Sequence, residues 1–153
     1  MQVRLAAISE APALVSLINA AFRVEKFFID KDRIDMVQVE AFFGSGFFLV
    51  AADDAGLAAC VYVEQRADRG YFGLLSVDPD RQKTGLGKRL VEAAEEHCRK
   101  LGCRAMDLQI VNLRRELPAF YQRLGYVETG TGTFPPDVVT KLPCHFVRMS
   151  KPL

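Results

Sequence analysis

Long apolar runs are missing from this chain of 153 residues. The longest near its middle, Phe47 to Ala52, is far too short to span a bilayer. The opening MQVRLAAISE carries Arg4 and Glu10 and lacks both an extended apolar stretch and a small-residue cleavage site, so it bears no mark of a targeting segment. A soluble, cytoplasmic protein with no membrane attachment is the expectation. Charge of one sign is also lacking: the formal net charge is +1. A chain whose main task is gripping a nucleic-acid backbone is usually more basic than that. Histidine is scarce, with only His97 and His145, and Cys60, Cys98, Cys103 and Cys144 form no CxxC pair. A zinc site is therefore not expected, and a disulfide framework would be out of place in a chain of this length without an export signal. The thiols read as buried and free.

What is present describes a folded domain. Half of the residues are apolar and a quarter are charged, enough for a core without staples, and no linker or repeat divides residues 1–153. The stretch QVRLAAI reads as a strand. Ser9 is the expected N-cap of a helix over residues 10–22, with Pro12 in its first turn and Leu14, Leu17, Ile18 and Ala21 as its apolar stripe. Ile34, Val37 and Phe42 suggest a second helix, stopped near Gly44–Gly46. FFLVAAD and AACVYVEQ flank Asp53-Asp54-Ala55-Gly56 as a hairpin, and YFGLLSV is a further strand closed by Asp78-Pro79-Asp80. Leu86, Leu90, Val91, Ala94, Cys98 and Leu101 form one helical stripe, with Glu95–Arg99 and Glu96–Lys100 as i,i+4 pairs on the opposite, polar side together with His97. RAMDLQIV reads as a strand, Leu117–Leu124 as a helix, and YVETG and CHFVRMS as final strands. The order β-α-α-β-β-β-α-β-α-β-β gives an α/β (α+β) domain, a mixed sheet with helices packed on it.

The stretch PDRQKTGLGKRLVE opens a helix with two glycines among basic side chains. A helix N-terminus leaves several backbone N–H groups unpaired and carries partial positive charge, so it suits an anion. Arg81, Lys83, Lys88 and Arg89 add four positive charges around Gly85 and Gly87. A strand–turn–helix connection with a solvated basic edge fits the same residues, and composition does not separate the two. A Walker A loop fails where Gln82 stands in place of glycine and where Arg89 follows Lys88. A dinucleotide fingerprint fails on the long gap between Val77 and Gly85 and on the order of the elements before it.

Gln82-Lys83-Thr84-Gly85-Leu86-Gly87 follows the pattern Q/R-x-x-G-x-G/A and resembles the pyrophosphate loop of the GNAT superfamily of acyl-CoA-dependent N-acetyltransferases. Val77-Asp78-Pro79 before it and AFYQRLGYVETG after it resemble the flanking motifs of that family, and together the likeness covers residues 74–128. The element order agrees with a GNAT-like acyl-CoA N-acyltransferase fold. The resemblance implies acetyl-CoA as cosubstrate and no metal. It places the pantetheine arm along Leu75 and Val77 and the pyrophosphate on the loop Gln82, Lys83, Thr84, Gly85, Leu86, Gly87 and Lys88. It makes Tyr121 the residue that gives a proton to the departing thiolate; as a side chain alone, Tyr121 equally fits a core aromatic. The asparagine that the family carries seven residues before this tyrosine has its nearest counterpart in Asn112, nine before Tyr121.

Where some members have a catalytic glutamate, this chain has Tyr71. Glu64 could act on the acceptor through water, and Glu25 and Asp30 could attract a cationic amine; each also fits a solvated position. The implied activity is acetyl transfer to a primary amine of a small molecule or peptide by direct attack, with no nucleic acid as partner. A non-catalytic acyl-CoA-binding or sensing module of the same fold is the alternative, and an O-acyltransferase or one for longer acyl chains is a further rival. Dimerisation is frequent in proteins of this kind and leaves a homodimer open.

Overall fold

The computed structural model describes residues 1–82 and 84–153. Its elements follow the expected order. Strand β1 (Val3–Leu5) leads to helices α1 (Ala11–Ala21) and α2 (Met36–Ser45). Three strands follow, β2 (Phe47–Asp53), β3 (Gly56–Arg66) and β4 (Arg69–Val77). Then come α3 (Leu86–Lys100), β5 (Ala105–Val111), α4 (Leu117–Arg123), β6 (Val127–Thr133) and β7 (His145–Pro152). The strands form one sheet in the order β1-β2-β3-β4-β5-β7-β6. Every neighbouring pair is antiparallel except β4 and β5, which run parallel. No described helix is long and apolar enough to cross a membrane.

Two apolar layers hold the helices to the sheet. On one face α1 and α2 bury Leu14, Leu17, Ile18 and Val39 against Phe48, Val50, Tyr62 and Leu74. On the other, α3 and α4 bury Leu86, Leu90, Val91, Ala94, Cys98 and Tyr121 against Leu49, Val61, Val63, Phe72 and Met106. Strands β2 and β3 are covered on both faces, which is why Leu49 to Ala51 and Ala58 to Val63 form continuous buried runs instead of alternating.

Local details depart from the expected pattern. Ser9 does not cap α1: it lies within a short 3-10 turn, Ile8–Glu10, and the N-cap is Glu10, whose side chain makes no cap bond. Glu10 instead pairs with Arg4 at 2.8 Å. On α2 the buried residue is Val39, whereas Val37 is exposed and Ile34 is buried just ahead of the helix. Leu101 is half exposed and contributes nothing to the α3 stripe. Glu95 is a larger correction. It is buried, not solvent-facing, and accepts the Tyr126 hydroxyl at 2.7 Å and Lys151 Nζ at 3.1 Å. His97 is half-buried, its ring 5.4 Å from that of Phe47.

Candidate active site

The sheet opens where its one parallel pair ends. Strands β4 and β5 are paired only at Arg69–Ala105, Gly70–Met106 and Tyr71–Asp107. Beyond Tyr71 and Asp107 the two strands part. A bulge in β4 falls in the same region: Cys60 pairs with Ser76 and Tyr62 with Gly73, so β4 carries one extra residue opposite Val61. Leu74 absorbs it with φ +55°, a left-handed conformation that costs a leucine about 1–2 kcal/mol. Its buried side chain anchors the strain on the α1 face, and its carbonyl accepts the Ser76 hydroxyl at 2.9 Å. The bulge shifts the pleat. Tyr71 and Leu74 pack with the α1/α2 layer, whereas Leu75 and Val77 pack with the α3/α4 layer.

The N-terminus of α3 lies beside that turned strand. Gly85 is its N-cap at φ +79°, the region where a side chain is strained, and no side chain caps the first turn. The leading amides of the helix therefore have no intrahelical acceptor and no side-chain acceptor. A Cβ on Gly87 would lie 3.6 Å from Phe120, 3.8 Å from Val77 and 4.0 Å from Leu75. Bare backbone at Gly87 thus faces the end of β4 and the start of α4 across one narrow gap. Thr84 donates to the Arg81 carbonyl at 2.7 Å and shapes the turn, and Gln82 is exposed. Lys88 is exposed and 3.8 Å from Glu92. Arg81 is tied to Asp53 in the β2–β3 turn, and Arg89 donates to the Met1 carbonyl. Both of these cations serve the scaffold. Lys83 lies outside the described residues.

Tyr121 stands on α4 next to Phe120, which faces Gly87 across the gap. Its ring is buried among Phe72, Phe120 and Tyr126, with centroids 5.9, 5.0 and 6.1 Å away. Its hydroxyl makes no hydrogen bond among the described residues. Burial pushes the phenol well above the ordinary tyrosine range, and Arg114 pulls it only partly back. At neutral pH the side chain is a protonated donor without an acceptor among the described residues. Asn112 has a different engagement: its backbone N–H donates to His145 O and its amide oxygen accepts from His145 N, both at 2.9 Å. These bonds clamp the end of β5 to the start of β7.

On the α1/α2 face, Glu25 is buried and accepts Arg114 Nη1 at 3.0 Å. Burial pushes its carboxyl above the ordinary value, although Arg114 and then Arg33 oppose the shift. Arg114 comes from the β5–α4 loop, so this pair joins segments 89 positions apart, and no local sequence signal marks it. Lys141 in the β6–β7 loop closes the same face. Its backbone N–H donates to Phe28 O at 2.7 Å and its Nζ lies 2.7 Å from Asp30. Asp30 is therefore an exposed tether in an ion pair. Glu64 is half-buried and accepts Tyr62 Oη at 2.7 Å and Arg66 Nε at 2.6 Å. Burial raises its pKa, but Arg66 and Tyr62 outweigh that and hold the carboxyl below its ordinary value.

A family model described as "Acetyltransferase (GNAT) domain" matches residues 44–128, the stretch from the end of α2 to the start of β6. The chain belongs to the GNAT acetyltransferase family. Mycothiol acetyltransferase of Propionibacterium freudenreichii subsp. shermanii is 35% identical over 94 residues, which cover 57% of this chain and 30% of that one. The matched stretch is thus about a third of that relative's length. Ribosomal-protein-alanine N-acetyltransferase from Brucella melitensis has the same fold, with a TM-score of 0.80 at 16% identity over 100% of both chains. The structure of yncA from Salmonella typhimurium with its cofactor acetyl-CoA superposes with a TM-score of 0.76 at 20% identity, covering 100% of this chain and 94% of that one. These structural likenesses speak for the GNAT fold of the α/β sheet described above.

Proposed function

We propose that this chain is an N-acetyltransferase that moves the acetyl group of acetyl-CoA to a primary amine by direct attack. The observation that carries the reading is the closeness of three features: first-turn amides of α3 at Gly85–Lys88 without a side-chain cap, the bulged end of β4 at Leu75 and Val77, and the α4 pair Phe120–Tyr121, of which Phe120 faces Gly87 and Tyr121 keeps its proton and has no hydrogen-bond partner among the described residues. A long polyanion with an extended tail suits them. The first-turn amides of α3 would hold its pyrophosphate, with Gly87 allowing close approach. The β4 backbone released from β5 would hold the pantetheine arm beside Leu75 and Val77. That the gap is lined by bare glycine backbone and apolar side chains is the fit expected for such a ligand. The relative with acetyl-CoA bound supports the choice of acyl donor.

Acetyl-CoA supplies the activated acyl group as a thioester. The residues of this chain do the rest. Backbone N–H groups of β4 near the bulge would polarise the thioester carbonyl, a service from fixed dipoles that needs no reorganisation. The neutral amine attacks the carbonyl carbon; the carbon–sulfur bond breaks as Tyr121 donates its proton to the sulfur, and the proton that the nitrogen sheds on becoming an amide returns through solvent to the phenolate. The raised pKa of the phenol keeps that proton in place until a developing thiolate accepts it. None of the four cysteines lies in the gap, so nothing calls for an acyl-enzyme step.

The test is thiol release from acetyl-CoA with a panel of primary amines, for wild type and Tyr121→Phe. The substitution removes no hydrogen bond, so the fold and the KM for acetyl-CoA should stay unchanged. Loss of a general acid should lower kcat by about a hundredfold or more. An unchanged kcat would remove Tyr121 from the chemistry. Tight acetyl-CoA binding with no turnover on any amine would favour a sensing module of the same fold.

A further inference from the structure

An opening of about 340 Å³ lies on the sheet face opposite α3 and runs from β3 and β4 across β5 to β7 and β6. Tyr71 and Asp107 line it, and these two form the last pair before β4 and β5 part. The opening therefore begins at the crotch of the gap in which the acyl donor is proposed to lie, on the side from which an acceptor would arrive. Tyr71 also acts electrostatically on Tyr121 through the sheet.

Its walls are cationic. Arg66, Arg69 and Arg148 face it against Asp107 alone. Arg69 and Asp107 satisfy each other in a two-pronged contact at 2.7 and 2.6 Å, and Ser150 donates to Asp107 as well. That pair is a neutral floor. Arg66 is fixed by its Nε bond to Glu64 and by stacking 3.9 Å from the centre of the Tyr71 ring, which leaves its terminal nitrogens without a hydrogen bond among the described residues. Arg148 has neither an ion pair nor a hydrogen bond among them. Its exposed side chain lies over β6: a Cβ on Gly132 would be 2.8 Å from its Nη2 and 3.2 Å from its Cζ, so the guanidinium lies against bare backbone. Gln109 of β5, register partner of Arg148, and Thr129 add neutral polar groups beside it. Both guanidinium groups are exposed in one opening, and their nitrogens without a partner among the described residues are available to a carboxylate or a phosphate.

We propose that this opening is the acceptor's anchoring site and that the acceptor is an amine that also carries an anionic group, carboxylate or phosphate ester, held by Arg148 with Arg66. The inference rests on the acetyltransferase reading for what happens to the amine. The anion site itself is tested by binding. Calorimetric titration, on the free and the CoA-bound protein, would compare phosphorylethanolamine with ethanolamine and glycine with glycinamide. The member that carries the anionic group should bind tenfold or more tightly than the analogue without it in at least one pair. Which pair does so separates phosphate from carboxylate. Arg148→Gln should abolish that preference and leave CoA affinity unchanged, because Arg148 touches neither α3 nor the α4 side of the gap. Equal binding within both pairs, or a preference that survives Arg148→Gln, overturns the proposal. Failure of CoA itself to bind would strike the acetyltransferase reading instead, and the anion preference of the free protein would still decide this one.

Discussion

Glu25 shows how one residue can carry two opposing terms. Its carboxyl is buried, which disfavours the charge, and it is paired with Arg114, which favours it; burial wins and the pKa is raised. A carboxyl whose folded pKa lies above its ordinary value of 4.5 stabilises the fold fully below that value. The contribution is lost as pH rises through the folded pKa. Replacing it with Gln keeps an acceptor for Arg114 and removes the titration. In urea denaturation at a series of pH values between about 4 and 8, wild type should gain stability relative to Glu25→Gln as pH falls. If the Arg114 pair dominated, the difference would run the other way. Sequence made Glu25 a candidate for attracting an amine because it stands in an irregular segment. Its buried partner was not legible, since only the fold brings Arg114 across to it. The same reason hid Glu95: helical spacing put it on the polar side, and Tyr126 and Lys151, far along the chain, turn that side inward.

Among the elements, the first turn of α3 makes the sharpest demand on sequence. Gly85 and Gly87 look alike in the motif, yet the structure gives them different reasons. At Gly85 an added methyl would meet no atom within 4 Å, but φ is +79°. Gly85→Ala should therefore cost about 1–2 kcal/mol through backbone strain alone. In a chain of this length that lowers the melting temperature by roughly 2–8 °C. Gly87 has helical backbone, so side chains there are not strained; the space is what matters. Gly87→Leu should fold with unchanged or slightly higher stability, since glycine is the weaker helix former. Its side chain would fill the gap between Leu75, Val77 and Phe120 and abolish acetyl-CoA binding. Thermal melts together with a binding titration check both halves. If Gly85→Ala were neutral and Gly87→Leu still bound the donor, the gap would not be the cofactor site. The loop was legible because glycine spacing and basic charge are local. The bulge was less plain: Gly73 stands beside it, but the left-handed residue is Leu74, a buried leucine that no local signal marks out for that strain.

For the molecule as a whole, period and punctuation gave the order of elements correctly from β1 to β7. The hairpin turn at Asp53–Gly56 and the strand stop at Asp78-Pro79 are short-range signals, and both held. What period cannot reveal is where two strands separate. The parting of β4 from β5 after Tyr71 and Asp107 follows from the bulge and from the helices packed on either side, and it creates the gap on which the functional reading stands. That gap brings Leu75, Val77 and Gly87 together, with Tyr121 next to Phe120 in its α4 wall; the family motifs had singled these residues out separately. The most direct measurement is therefore a calorimetric or thermal-shift titration of the purified protein with acetyl-CoA and CoA, with ATP and NAD as controls. At about a hundred times the dissociation constant, a ligand of the folded state adds roughly 2.7 kcal/mol. Saturable binding and a rise of several degrees with acetyl-CoA and CoA, absent with ATP and NAD, is the result predicted. No response to acetyl-CoA at saturating concentration would contradict the account and leave the glycine-opened helix a structural turn.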